Sequence, residues 1–499
     1  MLKIGWSKRN ISIEGPIGIP GQFYERISKG ILDPNMLCAL IIDDGNDMTV
    51  LVSADMVSLN DGIINDVRAS VLADCPTFPV DKIIMNATHT HTSPRYQRMG
   101  SCSYDLAPKI GVDMIDPMVY RTFFIKQATD AILEAYNTRD VGSYAYGSDF
   151  AVVAHHRRPI YRDDLRLRPE SANTSPALFV NKHAKMYGAT NDPMFLEYEG
   201  NVDSSAYFFF TFDKDEKLTG AIVNVPCPSQ NSEAEDMLSA SYWAELRALV
   251  KEKYGDIYIL PQCAAAGDMA PRALHDFYAQ DRRWRLKYGE DGFDGIKNKW
   301  EIWMRRDIAE RIMRAFESVY SWAQKEKIYD AKVEHRAERL DLDAWKITKE
   351  QYEAAKAQHA KDIETPWQST DDKYADYKAN TRLSSIFKRF ESIINRYEKD
   401  FDTRCAEVHI ARVGDVAFAS NPFELYVAYQ HRIQARSPFT QTFIVQLAAS
   451  IDAAGYLCTE RAANNMGYSA NIYSCPVAPS GGDKLVEETL KILNDIHKN

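Results

Sequence analysis

The sequence of this 499-residue chain predicts an α/β fold. Up to about residue 274, short runs rich in β-branched and aromatic residues alternate with stretches in which apolar residues recur at helical spacing. Alternating elements of this kind form layered α/β structures. The same texture returns after residue 402, beyond a charged segment with helical periodicity, so we expect one discontinuous core with an insertion.

The first part of the chain predicts strands and helices in alternation. A helix of 12 or more residues between two short apolar runs is typical of a crossover between neighbouring strands. The predicted strands include Met36–Asp43, Thr49–Ser53, Lys82–Asn86, Ala206–Phe212, Gly220–Val225 and Asp256–Leu260, and the predicted helices include Gly62–Ala73, Pro117–Tyr136 and Ser239–Tyr254.

Residues 282–401 predict a helical insertion or subdomain, because their stretches are charged, amphipathic and poor in β-branched residues. Residues 1–281 and 402–499 then form the discontinuous α/β domain. Its C-terminal part predicts a hairpin through Gly414 and Asp415, a further strand and a last helix. These elements are Ala406–Val413, Val416–Ala419, Thr442–Leu447 and Asp483–His497.

Composition and charge exclude several classes of protein. Hydrophobic residues make up 45% and charged residues 26% of the chain, which excludes disordered and collagen-like proteins. With 60 Lys+Arg against 70 Asp+Glu, the net charge of −10 argues against a general nucleic-acid or anionic-membrane binder. No apolar run approaches the ~18 residues of a membrane span.

The N-terminus enters strand-like sequence at once, without an apolar leader. This start predicts a cytoplasmic protein, or a periplasmic one if a leader was removed before Met1. The 8 cysteines form no CxxC pair, so neither a zinc knuckle nor a dense disulfide framework is indicated. The sequence leaves the oligomeric state open.

Two histidines follow the predicted strand Lys82–Asn86. His89 and His91 are separated by one residue, so in an extended chain their imidazoles would point to opposite sides. Both contact one site only if the chain turns there, as Ser93 and Pro94 suggest. The alternative is a pair of surface loop histidines, although histidine is also the commonest metal ligand.

A second cluster, His155-His156-Arg157-Arg158, follows an apolar run. Four potentially cationic groups in an acidic protein indicate an anion site, since the arginine fork matches a carboxylate or phosphate. The alternative is a solvated charge run on a loop.

A third segment, Pro261–Arg272, follows the predicted strand Asp256–Leu260 and contains Gly267 and Asp268. Small residues after a strand allow close approach of a ligand to the backbone, and a tight turn packed on a helix is the alternative. No Ser or Thr occupies this loop.

A fourth group is Glu424, which follows the predicted strand Val416–Ala419, with Tyr456 and Tyr468 beyond it. A carboxylate after a strand can bind a metal or act as a base. The alternative is a surface glutamate.

These motifs occur in the order found in the neutral/alkaline ceramidase-like family, which the chain resembles over about Ile4–Arg272 and Glu407–Lys484. The resemblance implies a four-layer α/β/β/α sandwich and a zinc site that hydrolyses an amide. The motifs that carry it are Thr88-His89-Thr90-His91, His156-Arg157, Gly267-Asp268 with Pro271, Pro422-Phe423-Glu424 and Gly455-Tyr456.

The resemblance also implies residue roles. His89, Glu424 and Tyr456 fall on zinc-ligand positions, and His91, Arg157 and Tyr468 fall on substrate-contacting positions. The implied cofactor is a divalent metal, zinc or calcium.

Two positions depart from the family. Its second zinc histidine is expected after the strand that ends at Asn224, but residues 225–230 contain no histidine. Cys227 is the candidate fourth ligand there, since a thiolate binds zinc well. Ala270 stands where the family has a serine, which argues against ceramide amidase activity.

The first function hypothesis is a carbohydrate lyase that cleaves a uronic-acid-containing glycan by β-elimination. Ceramidase-like proteins of this shorter kind are similar to bacterial lyases that release rhamnose from glucuronate in arabinogalactan side chains. Elimination needs cations to neutralise the carboxylate and a Tyr or His to move the proton. The hypothesis assigns catalysis to His89, His91, Arg157 and Tyr468, and substrate binding to Arg95, His156, Arg158, Asp268 and Arg272.

Two other hypotheses remain open at this stage. One is a zinc-dependent amide or ester hydrolase of the neutral ceramidase type, with Cys227 in place of the missing histidine. The other is a non-catalytic carbohydrate-binding descendant, which Ala270 favours.

Overall fold

The computed structural model describes residues 1–60, 62–98, 106–171, 175–289, 298–450 and 452–498. The strands within these residues are β1 Lys3–Asn10, β2 Gly18–Ile19, β3 Arg26–Ile27, β4 Met36–Asp43, β5 Met48–Ala54, β6 Ile83–Ala87, β7 Asp140–Phe150, β8 His155–His156, β9 Pro159–Tyr161, β10 Phe195–Tyr198, β11 Ser205–Asp213, β12 Leu218–Val225, β13 Tyr258–Cys263, β14 Met269–Ala270, β15 Val333–Asp343, β16 Thr403–Val413, β17 Val416–Ser420, β18 Phe423–Leu425, β19 Gln441–Val445 and β20 Gly455–Leu457.

The helices within the same residues are α1 Ile63–Asp74, α2 Ala107–Ile110, α3 Pro117–Asn137, α4 Tyr242–Tyr254, α5 Phe277–Tyr288, α6 Lys299–Ala323, α7 Lys349–Asp362, α8 Lys373–Lys399, α9 Val427–Arg436, α10 Glu460–Asn465 and α11 Pro479–Lys498. None of these described helices is both long and apolar enough to cross a membrane.

The larger sheet has the strand order β13-β12-β11-β7-β1-β4-β5-β6. Its neighbours are antiparallel except at the two ends, where β12 pairs with β13 and β5 with β6 in parallel. Parallel neighbours need a crossover, and α4 and α1 supply it. β6 and β13 form the opposite edges of this sheet, yet β13 contacts β4, β5 and β6, so the ends of β6 and β13 approach one another.

The smaller sheet has the strand order β15-β16-β17-β19. β16 and β17 form the predicted hairpin, in which Gly414 has a φ of 59° that suits glycine. β17 and β19 are parallel, with α9 between them along the chain.

A buried apolar layer joins the two sheets face to face. Phe209 on β11 stacks on Tyr144 at a centroid distance of 4.7 Å and contacts Phe418 of β17 edge-on at 5.9 Å. Helices α1, α3, α4 and α6 cover the outer face of the larger sheet, and α9 and α11 cover that of the smaller one. The predicted α/β/β/α sandwich is therefore confirmed.

Residues 282–401 are not wholly helical, contrary to the expectation for this segment. β15 lies inside it and forms an edge of the smaller sheet, paired with β16 from Val333↔Val413 to Asp343↔Thr403. The charged alternation of Glu334–Asp343 conceals this strand, because one of its faces is exposed to solvent. α6 packs on the larger sheet, whereas α7 and α8 pack mainly on each other. The division into domain and insertion stays a prediction.

β7 is a central strand of the larger sheet that the sequence analysis missed. Its two glycines weaken the apolar pattern, but each allows a close approach. A Cβ at Gly147 would lie 2.2 Å from the Trp322 ring on α6, and one at Gly142 would lie 2.6 Å from the Phe212 carbonyl. Glycine in a strand often marks such an approach of another element.

The layer between the sheets yields the first prediction. Phe209→Ala should lower the free energy of unfolding by about 3–5 kcal/mol, because it leaves a cavity between two rigid sheets. Phe150→Ala, at a side chain of the same type that is 75% exposed, should leave it nearly unchanged. Urea unfolding followed by tryptophan fluorescence measures both, and equal losses would contradict the proposed packing role.

Candidate functional site

A polar cavity of about 410 Å³ lies where strand ends of the two sheets meet. The larger sheet contributes the segment after β6, and β8 and the loop after β13 approach beside it. β18 and β20 face them, paired in parallel with Glu424 opposite Tyr456. The predicted site residues that line this cavity are His89, His91, Arg157, Arg272, Glu424, Tyr456 and Tyr468.

The backbone turns at His89 itself, where φ is 63°. This left-handed conformation is uncommon for a residue with a Cβ and often marks a functional position. It brings the imidazoles of His89 and His91 to the same side, with their Nε2 atoms 3.4 Å apart. The turn therefore lies earlier than Ser93 and Pro94, where the sequence suggested it.

The protonation of His89 follows from its neighbours. Its Nδ1 lies 2.7 Å from the carbonyl oxygen of Val57, which can only accept, so Nδ1 carries the proton. In the neutral imidazole, Nε2 then presents a lone pair to the Glu424 carboxylate, 3.3 Å away. Burial opposes ionisation of Glu424, but its interactions with His89 and Arg157 hold the pKa of its carboxyl below the usual range.

His91 has two polar partners. Its Nδ1 lies 3.1 Å from a carboxylate oxygen of Glu233, and the amide nitrogen of Gln230 donates to Nε2 at 3.1 Å. Gln230 is itself oriented by the hydroxyl of Tyr187. Burial lowers the pKa of His91, which favours the neutral ring with a lone pair on Nε2.

The Nε2 lone pair of His89 and the Glu424 carboxylate therefore face each other, with Nε2 of His91 3.4 Å from that of His89. Such a set is stable only with a proton or a cation among its members. The phenol oxygen of Tyr456, which interacts with Glu424, is a further oxygen atom that can bind a cation. This set fits a divalent cation held by His89, Glu424 and Tyr456, although the described residues contain no group of three or more His, Cys, Asp or Glu side chains in metal-binding geometry.

Hydrogen-bond donors form the wall of the cavity beside Glu424. Nη2 of Arg157 donates to the carbonyl of Gly267 at 2.7 Å and to the Tyr456 hydroxyl at 3.0 Å. Burial raises the pKa of Tyr456, and it raises that of Tyr468 to about 12, so both phenols stay protonated at neutral pH. The wall can therefore stabilise negative charge that develops on a bound molecule.

Gly267 makes this arrangement possible. A Cβ at this position would lie 2.3 Å from the carbonyl oxygen of Glu424, closer than any side chain tolerates. The backbone N–H of Gly267 donates to the Leu425 carbonyl at 2.8 Å. The loop after β13 is thus pressed against β18, as the sequence suggested for a small residue there.

Four of the five predicted substrate-binding residues do not line the cavity. His156 and Asp268 face each other in the interior at 3.5 Å, and Asp268 also accepts from the backbone N–H of Val427. Arg95 pairs with the buried carboxylate of Glu25. The partners of these side chains lie within the protein, so the predicted basic cluster does not form around one ligand.

Arg158 also has a structural environment. Its guanidinium is fully buried, pairs with Glu199 and donates to the backbone carbonyls of Met466 and Tyr468. Arg158 therefore holds the loop that carries Tyr468. Of the predicted substrate-binding set, Arg272 does line the cavity, with its guanidinium 4.8 Å from the Tyr187 ring centroid.

The two positions that depart from the ceramidase-like pattern lie in the core. The thiol of Cys227 is 3.2 Å from the Val153 carbonyl, and burial raises its pKa well above the usual value. Cys227 does not line the cavity, so its thiol does not face His89 and Glu424 as a fourth metal ligand. Ala270 is fully buried and pairs with His155.

The sequence analysis missed three residues of the cavity wall, namely Tyr187, Gln230 and Glu233. Gln230 and Glu233 follow β12 closely, and the ends of strands are where this fold gathers its polar groups. That position was the available signal. Tyr187 lies in a long irregular segment that gives no periodic pattern.

Two sheets between helical layers, with a polar cavity at their strand ends, define the class of four-layer α/β/β/α proteins. No family model and no curated protein sequence matches the chain. Among solved structures the chain is similar to the neutral ceramidase from Pseudomonas aeruginosa, with 16% identity over 100% of this chain and 74% of that chain and a TM-score of 0.65. It is also similar to a ceramidase complexed with C2, with 15% identity over 100% and 75% of the two chains and a TM-score of 0.67. The ceramidase-like fold is therefore confirmed.

The lyase hypothesis, with its uronic-acid-containing substrate, is wrong. The two solved structures described above are ceramidases, which are hydrolases and not lyases. Arg95 and Arg158, two of the residues that this hypothesis assigned to the substrate, form ion pairs with Glu25 and Glu199 within the protein.

The buried position of Arg158 yields the second prediction. Arg158→Met should lower the free energy of unfolding by about 3–5 kcal/mol, because it leaves the Glu199 carboxylate buried without its partner. Arg436→Met removes a half-exposed pair with Glu487 and should cost at most about 1 kcal/mol. Urea unfolding compares them, and a stable Arg158→Met protein would instead favour a ligand-binding arginine.

Proposed function

We propose that this chain hydrolyses an amide or ester bond of an acyl compound, with a divalent metal ion held by His89, Glu424 and Tyr456. The observation that supports it most is the convergence of His89, His91 and Glu424 beside protonated donors in one cavity. The likeness of the fold to ceramidases supports the same reaction class.

The metal ion, when bound, would polarise the scissile carbonyl and make a water molecule more acidic. Arg157 and Tyr468 line the cavity beside these ligands, where they donate to the oxygen that becomes negative during attack. Arg157 also orients the phenol oxygen of Tyr456. The oxyanion is thus stabilised by groups that need no rearrangement.

His91 moves the proton in this proposal. Glu233 fixes the proton on Nδ1, so the lone pair is on Nε2, where it accepts from the Gln230 amide until the attacking water takes the place of that amide. Nε2 then accepts a proton from the water and returns it to the leaving nitrogen or oxygen. Water as the nucleophile requires no serine, which agrees with Ala270 in the loop after β13. The carbon–nitrogen or carbon–oxygen bond breaks as the acid forms.

The proposal predicts metal-dependent hydrolysis of simple acyl compounds. The protein should cleave para-nitrophenyl hexanoate or the matching hexanoyl anilide, lose this activity after chelation and regain it with zinc. Tyr456→Phe should lower kcat/KM on the order of 10²-fold, as removal of one well-placed polar group does. Tyr278→Phe, the same change at a side chain that is 86% exposed, should have no effect.

Release of the nitrophenol or nitroaniline chromophore measures these rates. Hydrolysis that survives chelation and is equal in the two variants would contradict the proposed site. Absence of hydrolysis, together with retained binding of a neutral oligosaccharide, would favour the non-catalytic carbohydrate-binding alternative.

A further inference from the structure

A second cavity of about 620 Å³ adjoins the candidate site. It shares Phe23, Glu424, Tyr456 and Tyr468 with the first cavity, so a ligand can extend from one into the other. We call it the basic cavity, because Lys185, Arg382 and Arg389 line it.

These three cations lack acidic partners in the part of the chain that the structure describes. Ion pairs engage most of the arginines there, including Arg95 and Arg158 at the edge of the candidate site. Among the described residues that line the basic cavity, Glu424 supplies the carboxylate, and His89 already engages it. In a chain of net charge −10, three unpaired cations around one cavity form a local positive field.

Two of these cations belong to one face of α8. Arg382 and Arg389 are seven residues apart, which is two helical turns. Ser385 and Ile386, which lie between them, line the same cavity. Both arginines therefore lie on the side of α8 that faces the cavity.

Aromatic contacts connect this charge to the candidate site. The guanidinium of Arg389 lies 4.9 Å from the ring centroid of Phe23, and Phe23 contacts Tyr468 edge-on at 5.0 Å. Tyr468 in turn contacts Tyr456 at 5.5 Å. Burial raises the pKa of Tyr468 to about 12, and the charge of Arg389 opposes this rise because the guanidinium lies near the phenol.

We propose that the basic cavity binds an anionic group, such as a carboxylate, at the far end of the acyl substrate. This inference rests on the proposed hydrolase function and names its substrate class, an acyl compound with a terminal anion. The arginine fork matches a carboxylate in two parallel hydrogen bonds, and Lys185 adds a third positive charge. The Phe23 and Tyr468 rings lie between the two ends and suit the apolar chain that joins them.

Matched esters test the proposal. The para-nitrophenyl monoesters of dicarboxylic acids of four to eight carbons are compared with neutral esters of equal chain length. At low salt, kcat/KM for the best anionic ester should exceed that of its neutral match about 10-fold or more, as expected for one charge-assisted pair. The difference should appear in KM and should shrink as salt screens the charges.

Variants locate the effect. Arg389→Gln and Arg382→Gln should each bring the ratio of anionic to neutral kcat/KM toward one. Arg339→Gln, the same loss of charge at an exposed position on β15, should keep the ratio. A ratio near one in the unaltered protein, or a ratio that the two α8 variants leave intact, overturns the proposal.

A binding measurement separates this proposal from the hydrolase function. If neither ester is cleaved, the proposed function fails, and calorimetry then compares the monoanilide of adipic acid with hexanoyl anilide. Tighter binding of the anionic anilide, weakened about 10-fold by Arg389→Gln, supports the basic cavity on its own. Equal or undetectable binding of the two anilides overturns it.

Discussion

The packing of the two sheets is the constraint on which the rest of the structure depends. The residues of the candidate site come from both sides of that layer, since His89 follows β6 and Glu424 lies on β18 beside the smaller sheet. The 3.3 Å separation of their side chains is therefore set by how the apolar faces fit together. Because protein interiors are close-packed, a shift of one sheet displaces the side chains of the other sheet as well.

The same constraint explains the buried charges next to the cavity. Helices and strands that surround a polar site must end near it, and their termini carry charged side chains into the interior. The protein neutralises these charges in pairs, such as Arg158 with Glu199 and Arg95 with Glu25. The arginines that remain in the cavities are then few and are placed where a ligand can reach them.

Much of the fold could be predicted from the sequence, because β4, β5, β11 and α3 carry clear apolar periodicity. β7 and β15 could not, since glycines interrupt the first and charges alternate along the second. Both strands are specified by their neighbours and not by their own composition. Local propensity is a weak guide wherever the tertiary environment determines which face is buried.

The candidate site shows the same division. Motif order brought His89, Arg157 and Glu424 together in the prediction, and the structure places all three at one cavity, although their roles stay proposals. The sequence could not show that His156 and Arg158, the neighbours of Arg157 in the chain, are buried away from the cavity that Arg157 lines. It also could not show the basic cavity, because no pattern in residues 344–401 indicates that α8 packs beside the candidate site.

The convergence around His89 sets the chemistry that the cavity can perform. In the proposed hydrolase His91 transfers the proton and the Cys227 thiol lies in the core, so His89, Glu424 and Tyr456 are the candidate metal ligands. A site with three protein ligands keeps a position open, which suits catalysis better than a purely structural role.

Arg157 and Arg158 are adjacent, yet one lines the cavity and the other lies in the core with the Tyr468 loop. The antiparallel ladder of β8 with β14, in which Met269 pairs with His156, fixes which arginine takes which side. A slip of this short ladder by one residue would exchange the two guanidinium groups. One register therefore sets both the cavity wall at Arg157 and the support of the Tyr468 loop by Arg158, so a misaligned chain would lose both.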